Sequence, residues 1–320
     1  MFKRASLRNA PFRLGVKVRK VKVLGETYVL IAPRCKYWKP GHNYLRSIGE
    51  VIARLKVRNG DILLISEKAI CTANGNLVDE NLVKPGLGAK IIAKYWMKWV
   101  WGYLLGPLCR LSKSTIDFLR KYPEFYGARH KQVALEESGL LAALCFGSEG
   151  GIDGSNLPYA YVSLPLREAG EAQRIREYIR DELGIDVGVV IVDSDRCYSW
   201  GVIYVSPRPT FVRGIKGGGG VIVYVVSNVL GLRGWPTPID CSGVNMPLRE
   251  LLELCRAAER VRGHGAGRSV WEMAERFDTT LVGVTWKMLE SIPHYPLVVA
   301  RKLKRKPANN RFRHEDSSCR

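Results

Sequence analysis

The residues best able to do chemistry fall in two short stretches. In "GGIDGSNLP", Gly150 to Pro158, Asp153 stands among three glycines and is followed by Ser155 and Asn156. Glycine is kept where the backbone needs positive φ or a close approach. Asp, Ser and Asn also bond to local backbone, so a tight turn accounts for the same composition. The other reading is a loop that admits a ligand to the main chain, with Asp153 holding a cation. The second stretch, "LGIDVGVVIVDSDR", sets Asp193, Ser194 and Asp195 after an apolar run. It predicts a buried strand that ends at Asp193, and strand ends in α/β structures are where ligands bind. Mg²⁺ takes one or two carboxylates together with waters and substrate phosphates. Asp153 and Asp193 supply two carboxylates if loop and strand end meet. An Asp that caps the next element is the plainer alternative.

Two further stretches are rich in glycine. "KGGGG", Lys216 to Gly220, has no Lys-Ser/Thr after it and is expected to lead into a strand. As a phosphate loop it fails, and a flexible hairpin or bulge is the better description. "RGHGAG", from Arg262, follows a helical pattern and suits a close backbone approach. A C-terminal glycine cap explains Gly263 equally well.

These residues need elements to hold them. "KVKVLGETYVLIAPR" reads as strand, turn, strand, and "GHNYLRSIGEVIARLKV" as helical, with Tyr44, Ile48, Ile52 and Leu55 on one face. Ile62 to Ile65 is a buried strand after a turn. "STIDFLRKYPEF" is a capped helix closed by Pro123. "YAYVSLPL" reads as a strand, and "EAGEAQRIREYIRDEL" as a helix capped by Gly184. "VIVYVVSNVLGL" reads as an apolar strand, "PLRELLELCRAAERV" as an amphipathic helix, and "YPLVVARKL" as the last strand. Several strands sit together, which favours α+β over a doubly wound sheet. Tyr95, Trp96, Trp99, Trp101 and Tyr103 form an aromatic cluster, expected in the core or at a dimer contact rather than as a membrane anchor, because its segment is too short to span a bilayer; no membrane partner is expected.

The chain has 320 residues and 46% hydrophobic composition, enough for a real core. Its net charge of +20 implies affinity for anions such as nucleotides or acidic coenzymes. The first twenty residues hold seven Arg or Lys and no acid, and the last twenty hold eight with two acids. We therefore expect a basic arm with the first strand over 1–27, a main domain over 28–303 that could break near 200–235, and a basic disordered tail over 304–320. The tail leaves nucleic acid open as a partner, without a recognised binding motif to favour it. Without an apolar signal or a membrane-length run, the expected location is cytoplasmic. None of the eight cysteines forms a C-x-x-C pair, so they read as buried small hydrophobes.

Together the motifs resemble the coenzyme F-420 gamma-glutamyl ligases. That family shows "GDVLVV…K…EGR", then "AGIDxSN", "TGxxVGVIIxDT" and "PxVVVRG". Here the counterparts are "GDILLISEKAICTANGN", "GGIDGSN", "LGIDVGVVIVDSD" and "YPLVVARKL", in the same order over roughly Tyr28 to Leu303. The resemblance implies an α+β fold with mixed sheets and flanking helices, as an intertwined homodimer whose sites draw on both subunits. It implies GTP-dependent ligation of L-glutamate to an acidic deazaflavin precursor through an acyl phosphate, with Mg²⁺ or Mn²⁺. Asp153, Asp193 and Ser194 match metal ligands, Asn156 a nucleotide-contacting asparagine, and Glu67 and Lys68 lie in the nucleotide loop. Thr72 stands where the family has a second lysine, His264 where it has an acidic metal ligand, and "DSDRCYSWG" carries one arginine where the family has two. The expected function is a divergent amide ligase; the alternative is a descendant that binds a nucleotide or nucleic acid without catalysis.

Overall fold

The computed structural model describes residues 15–147 and 149–303. The basic tail over 304–320, and all of the N-terminal arm before Gly15, lie outside the described residues.

Strands β1 (Val16–Val23) and β2 (Glu26–Pro33) form the expected hairpin, paired from Val16↔Pro33 to Val23↔Glu26. Helix α1 (Tyr44–Leu55) follows, capped by the Asn43 side chain accepting from the Arg46 N–H. Strand β3 (Ile62–Ser66) runs directly into helix α2 (Glu67–Ala73). After β4 (Leu77–Asp79) and a 3₁₀ turn (Glu80–Leu82) comes a helical lobe. It holds α3 (Leu87–Ile91), a π-wound continuation (Ile92–Leu105), α4 (Gly106–Leu108), α5 (Lys113–Arg120), α6 (Glu124–Ser138) and α7 (Leu140–Ala143). Then come β5 (Tyr161–Ser163), α8 (Glu171–Leu183), β6 (Gly188–Trp200), β7 (Ile203–Val205) and β8 (Ile215–Lys216). The chain continues through α9 (Gly220–Val229), β9 (Gly234–Ser242), α10 (Leu248–Arg262), α11 (Val270–Arg276), α12 (Trp286–Ser291) and β10 (Leu297–Lys302).

The sheet order is β1-β2-β10-β3-β6-β7-β8, with β9 also paired to β6. It is mixed: β3 and β6 run parallel, and β10 is antiparallel to both β2 and β3. A mixed sheet with helices is the α+β expectation. On one face α10 buries Leu251, Leu254 and Cys255 against Leu64, Val190 and Val298. On the other, α1 and α8 bury Ile48, Ile52, Ile175 and Ile179 against Leu63, Ile65 and Val299. The alternation of faces along β3 and β10 is the period-two pattern of a strand buried on both sides. The seven described cysteines are free, five of them buried.

Three expectations need correction. "VIVYVVSNVLGL" is the helix α9, not a strand; Val221 packs with Trp101 and Ala143 of the helical lobe, and this contact overrides the β-branched propensity. Strand β6 does not end at Asp193 but runs on to Trp200, with register shifts against β9 between Asp193 and Arg196. Asp193 therefore sits at a bulge, which re-aims side chains next to sites. "KGGGG" is no flexible hairpin: Gly218, Gly219 and Gly220 N–H groups donate to the carbonyls of Arg208, Ser206 and Pro207 at 3.1, 3.2 and 2.8 Å. Helix α5 ends at Arg120 with its cap at Lys121, and Pro123, two residues past that cap, stops it as expected and also opens α6.

The aromatic cluster divides. Met97 and Trp101 are fully buried and Trp96 partly, whereas Tyr95, Trp99 and Tyr103 are each more than half exposed. No helix among the described residues is long and apolar enough to cross a membrane.

Candidate functional site

Asp153, Ser155 and Asn156 lie where the glycine loop passes beneath α2. Lys68, in the first turn of α2, donates to the Asp153 carboxylate and to Ser155 Oγ at 2.6 Å. The Ser155 N–H also donates to Asp153 Oδ1 at 2.6 Å, closing a turn around the carboxylate. The loop is thus the tight turn that its composition allows, and its Asp153 carboxylate is paired with the Lys68 ammonium.

Asn156 is left-handed, with φ 56°. Its Oδ1 accepts from the Ala266 N–H at 2.6 Å, and its Nδ2 donates to the carbonyls of His264 and Gly267 at 3.1 and 2.9 Å. A Cβ on Gly265 would lie 2.4 Å from Asn156 Oδ1. The close approach at "RGHGAG" is therefore to Asn156, while Gly263 N–H bonds the Glu259 carbonyl at 2.8 Å as a helix cap.

Beneath Asp193 lies a residue the sequence reading missed. Arg208 is fully buried and forms a bidentate pair with Glu67, Nη1 to Oε2 at 2.6 Å and Nη2 to Oε1 at 2.8 Å. Its Nη1 also donates to Asp193 Oδ2. Two of the glycines pack closely on this residue, one on its side chain and one on its backbone. A Cβ on Gly151, at φ 98°, would sit 2.5 Å from the Arg208 guanidinium carbon, and one on Gly217 would sit 2.8 Å from its carbonyl oxygen. Burial works to raise Asp193, but Arg208 and Lys68 hold it below the ordinary carboxylate range. "SPRPT" carried no pattern that would mark its arginine, and only the clustered glycines hinted at an intimate neighbour.

All the proposed residues except Glu67 line one cavity of about 570 Å³: Lys68, Thr72, Asp153, Asn156, Asp193, Ser194 and His264, joined by Asp195. Thr72 is buried on the α2 wall, where a lysine was noted as lost. Arg196 bonds Glu259 at 3.1 Å. Arg262, at the end of α10, lines the cavity without a side-chain hydrogen bond or ion pair among the described residues; burial, then its neighbours Glu259 and Asp193, set its surroundings. Burial and Arg268 lower the His264 pKa. His294 is held near 3 by burial and by Arg262, so it is neutral there, and its Nε2 is buried without a hydrogen-bond partner among the described residues.

The far wall holds a second charged cluster, also unforeseen. His130 sits between Glu80 (Nδ1 to Oε1, 2.6 Å) and Glu149, and the buried Lys131 donates to Glu149 at 2.6 Å and to the Cys145 carbonyl at 2.8 Å. Burial alone would lower the His130 pKa; the glutamates outweigh it and carry it to about 10. Burial would likewise raise Glu149, but His130 and Lys131 bring it to about 2. Aromatic rings complete this end, with Phe118 stacked on Trp271 at 4.2 Å.

A divalent ion needs a converging set of carboxylate or imidazole ligands. Among the described residues, no three His, Cys, Asp or Glu side chains converge to hold one. Asp153 is already paired with Lys68, and Asp193 shares Arg208 with Glu67. As they stand, these residues do not fit a preformed metal cage.

The comparisons agree with the motifs. The family model for F420-0:Gamma-glutamyl ligase matches residues 33–231. The "Uncharacterized protein MJ1361" of Methanocaldococcus jannaschii is 33% identical over 291 residues, 87% of this chain and 98% of that one. The coenzyme F420:L-glutamate ligases of Methanopyrus kandleri and Archaeoglobus fulgidus are 27% and 28% identical over 170 and 158 residues, about half of this chain. The matches span 60% and 55% of those two ligases. The chain therefore belongs to the F420-0:gamma-glutamyl ligase family.

Proposed function

We propose that the cavity binds a nucleotide and an acidic acceptor, and that the protein is a divergent amide ligase with GTP as cosubstrate. In that reaction the acceptor carboxylate takes the γ-phosphoryl group and GDP leaves. The amino-acid nitrogen then forms the amide bond at the acyl carbon as phosphate leaves, and a proton is lost. The observation that carries this reading is one cavity lined by Lys68, Arg262, His264 and Arg268 beside Asp153, Asp193 and Asp195. Cationic groups that stabilise a transferring phosphoryl group are what such chemistry needs. Lys68 has the position to exchange Asp153 for a phosphate oxygen, and Arg262 is the cation best placed for an acidic substrate. Mg²⁺ or Mn²⁺ would arrive with the polyphosphate. Asn156 would reach a nucleotide only by releasing the 264–267 loop. A homodimer belongs to the same reading and would show in sedimentation equilibrium.

A second reading, nucleotide binding without catalysis, is favoured by Thr72 in the place of a lysine and by Arg196 being tied to Glu259. The test is incubation with GTP, L-glutamate, Mn²⁺ and the unglutamylated deazaflavin precursor, read by mass, beside calorimetry with GTP. We expect nucleotide binding with weak or absent glutamate addition to that precursor. Other acidic acceptors in the same assay then report whether ligation persists. Rapid glutamyl product would show that the departures are compensated; no heat with any nucleotide would end both readings.

A further inference from the structure

The outer face of the helical lobe carries features that the cavity does not explain. From α3 through the π-wound segment, Leu87, Ile91, Tyr95, Trp99 and Tyr103 recur every four residues, and each is about half exposed or more. The π winding carries fewer degrees per residue than an α-helix, so a four-residue spacing stays close to one stripe. Leu104 and Leu108 extend it, both about half exposed. The opposite side is the core: Ala89, Ala93, Met97 and Trp101 have no exposure. The stripe is thus a surplus of apolar surface on an element already anchored, larger than single scattered hydrophobes.

Charge decides what covers it. Lys90 and Lys94 stand one position before Ile91 and Tyr95, and Lys98 one before Trp99. Between Glu80 and Asp117 the chain has six Lys or Arg and no acid. Nearby acids come from neighbouring helices, where Glu124 meets Lys98 at 3.3 Å and Asp117 lies 3.9 Å from Arg120. Lys90 and Lys94 have no ion pair among the described residues, and the Lys94 ammonium lies 5.5 Å over the Tyr95 ring. An isologous pair of copies would set Lys90 and Lys94 against their own counterparts, which is unfavourable. A nucleic acid would satisfy the lysines but offers nothing to Leu87, Ile91, Leu104 and Leu108. Aromatic side chains beside Leu and Ile, edged with lysine, are what an anionic bilayer surface receives.

We propose that this face rests on the surface of an anionic membrane, with the aromatic stripe at headgroup depth and the lysines toward the lipid charges. No span is involved, and the cavity's chemistry is independent of it. The test is flotation of the full chain with vesicles of phosphatidylcholine, with and without phosphatidylglycerol, at low and high salt. Tryptophan quenching by brominated lipid is read in parallel. Binding is expected only with the anionic lipid, salt-sensitive, with quenching of the fluorescence. Lys90→Gln with Lys94→Gln should lower the partition coefficient by roughly fivefold per lysine. Trp99→Ser with Tyr103→Ser should abolish the quenching while leaving the melting temperature of these outward-facing variants unchanged. Failure to float with anionic vesicles at low salt would overturn the proposal. So would undiminished flotation of both variants, which would assign binding to the basic termini. A dimer dissociated by the serine variants, or competition by a short RNA that survives them, would assign the face to another partner.

Discussion

Arg208 is the side chain on which the site depends. Its pair with Glu67 is bidentate and buried, and its bond to Asp193 links α2 to the bulge in β6. Removing one member of a buried ionic cluster leaves an uncompensated charge, so Arg208→Ala should destabilise the fold by about 3–5 kcal/mol in urea unfolding. Replacing Glu67, Arg208 and Asp193 together by apolar residues of similar size should cost less, because no charge is stranded. The His130 cluster gives a pH signature. His130 is raised from 6.5 to about 10, so its contribution is complete below pH 6.5 and lost as pH rises towards 10. Glu149 is lowered from 4.5 to about 2, so its contribution is complete above pH 4.5 and lost as pH falls towards 2. The stability difference between the wild type and His130→Asn should therefore peak near pH 4.5–6.5 and shrink on the alkaline side, as read from melting temperatures across pH. Asp153 and Asp193 were legible because each stands beside glycine or an apolar run. Arg208 and His130 were not, because their meaning lies in partners far along the chain: Glu67 is 141 residues from Arg208.

The glycine loops show how elements aim these side chains. "KGGGG" holds the 206–208 turn by three backbone bonds, and Gly217 packs against the Arg208 carbonyl. A methyl there has no room, so Gly217→Ala should shift the turn, loosen Arg208 and lower stability by about 1–3 kcal/mol in denaturant unfolding. The same substitution at Gly41, with open space around its Cβ position, meets only its own backbone strain and separates the two effects. Elements with their own periodicity were legible from sequence: α1, α8, α10, β3 and β10 carry a clean amphipathic or buried pattern and sit where it put them. α9 was not, since a run of Val and Ile reads as strand until its neighbours are known. β9 went unread because Pro236 and Pro238 break the usual strand signal. Among the named strands it pairs only with β6, and a strand at a sheet edge is the setting that tolerates proline.

The topology of the whole molecule places its last strand in the middle of its sheet. β10 lies between β2 and β3, with Val299 opposite both Ile31 and Leu63. Deleting residues from Leu297 onward should open two bare strand edges and leave Leu63, Ile65 and Leu30 without cover. We expect an insoluble or molten product, read by solubility and loss of near-ultraviolet circular dichroism. Restoring a peptide of residues 295–303 should rescue little, because most of the pairing partners are by then misassembled. The order of synthesis gives this arrangement another meaning. A chain emerging from the ribosome completes its first hairpin and its β3–β6 parallel pair while the slot between β2 and β3 is still vacant. The two halves of the sheet must wait, unjoined, until some 230 further residues have been made after β3. A nascent chain held in that state exposes the same two edges to its neighbours on a polysome.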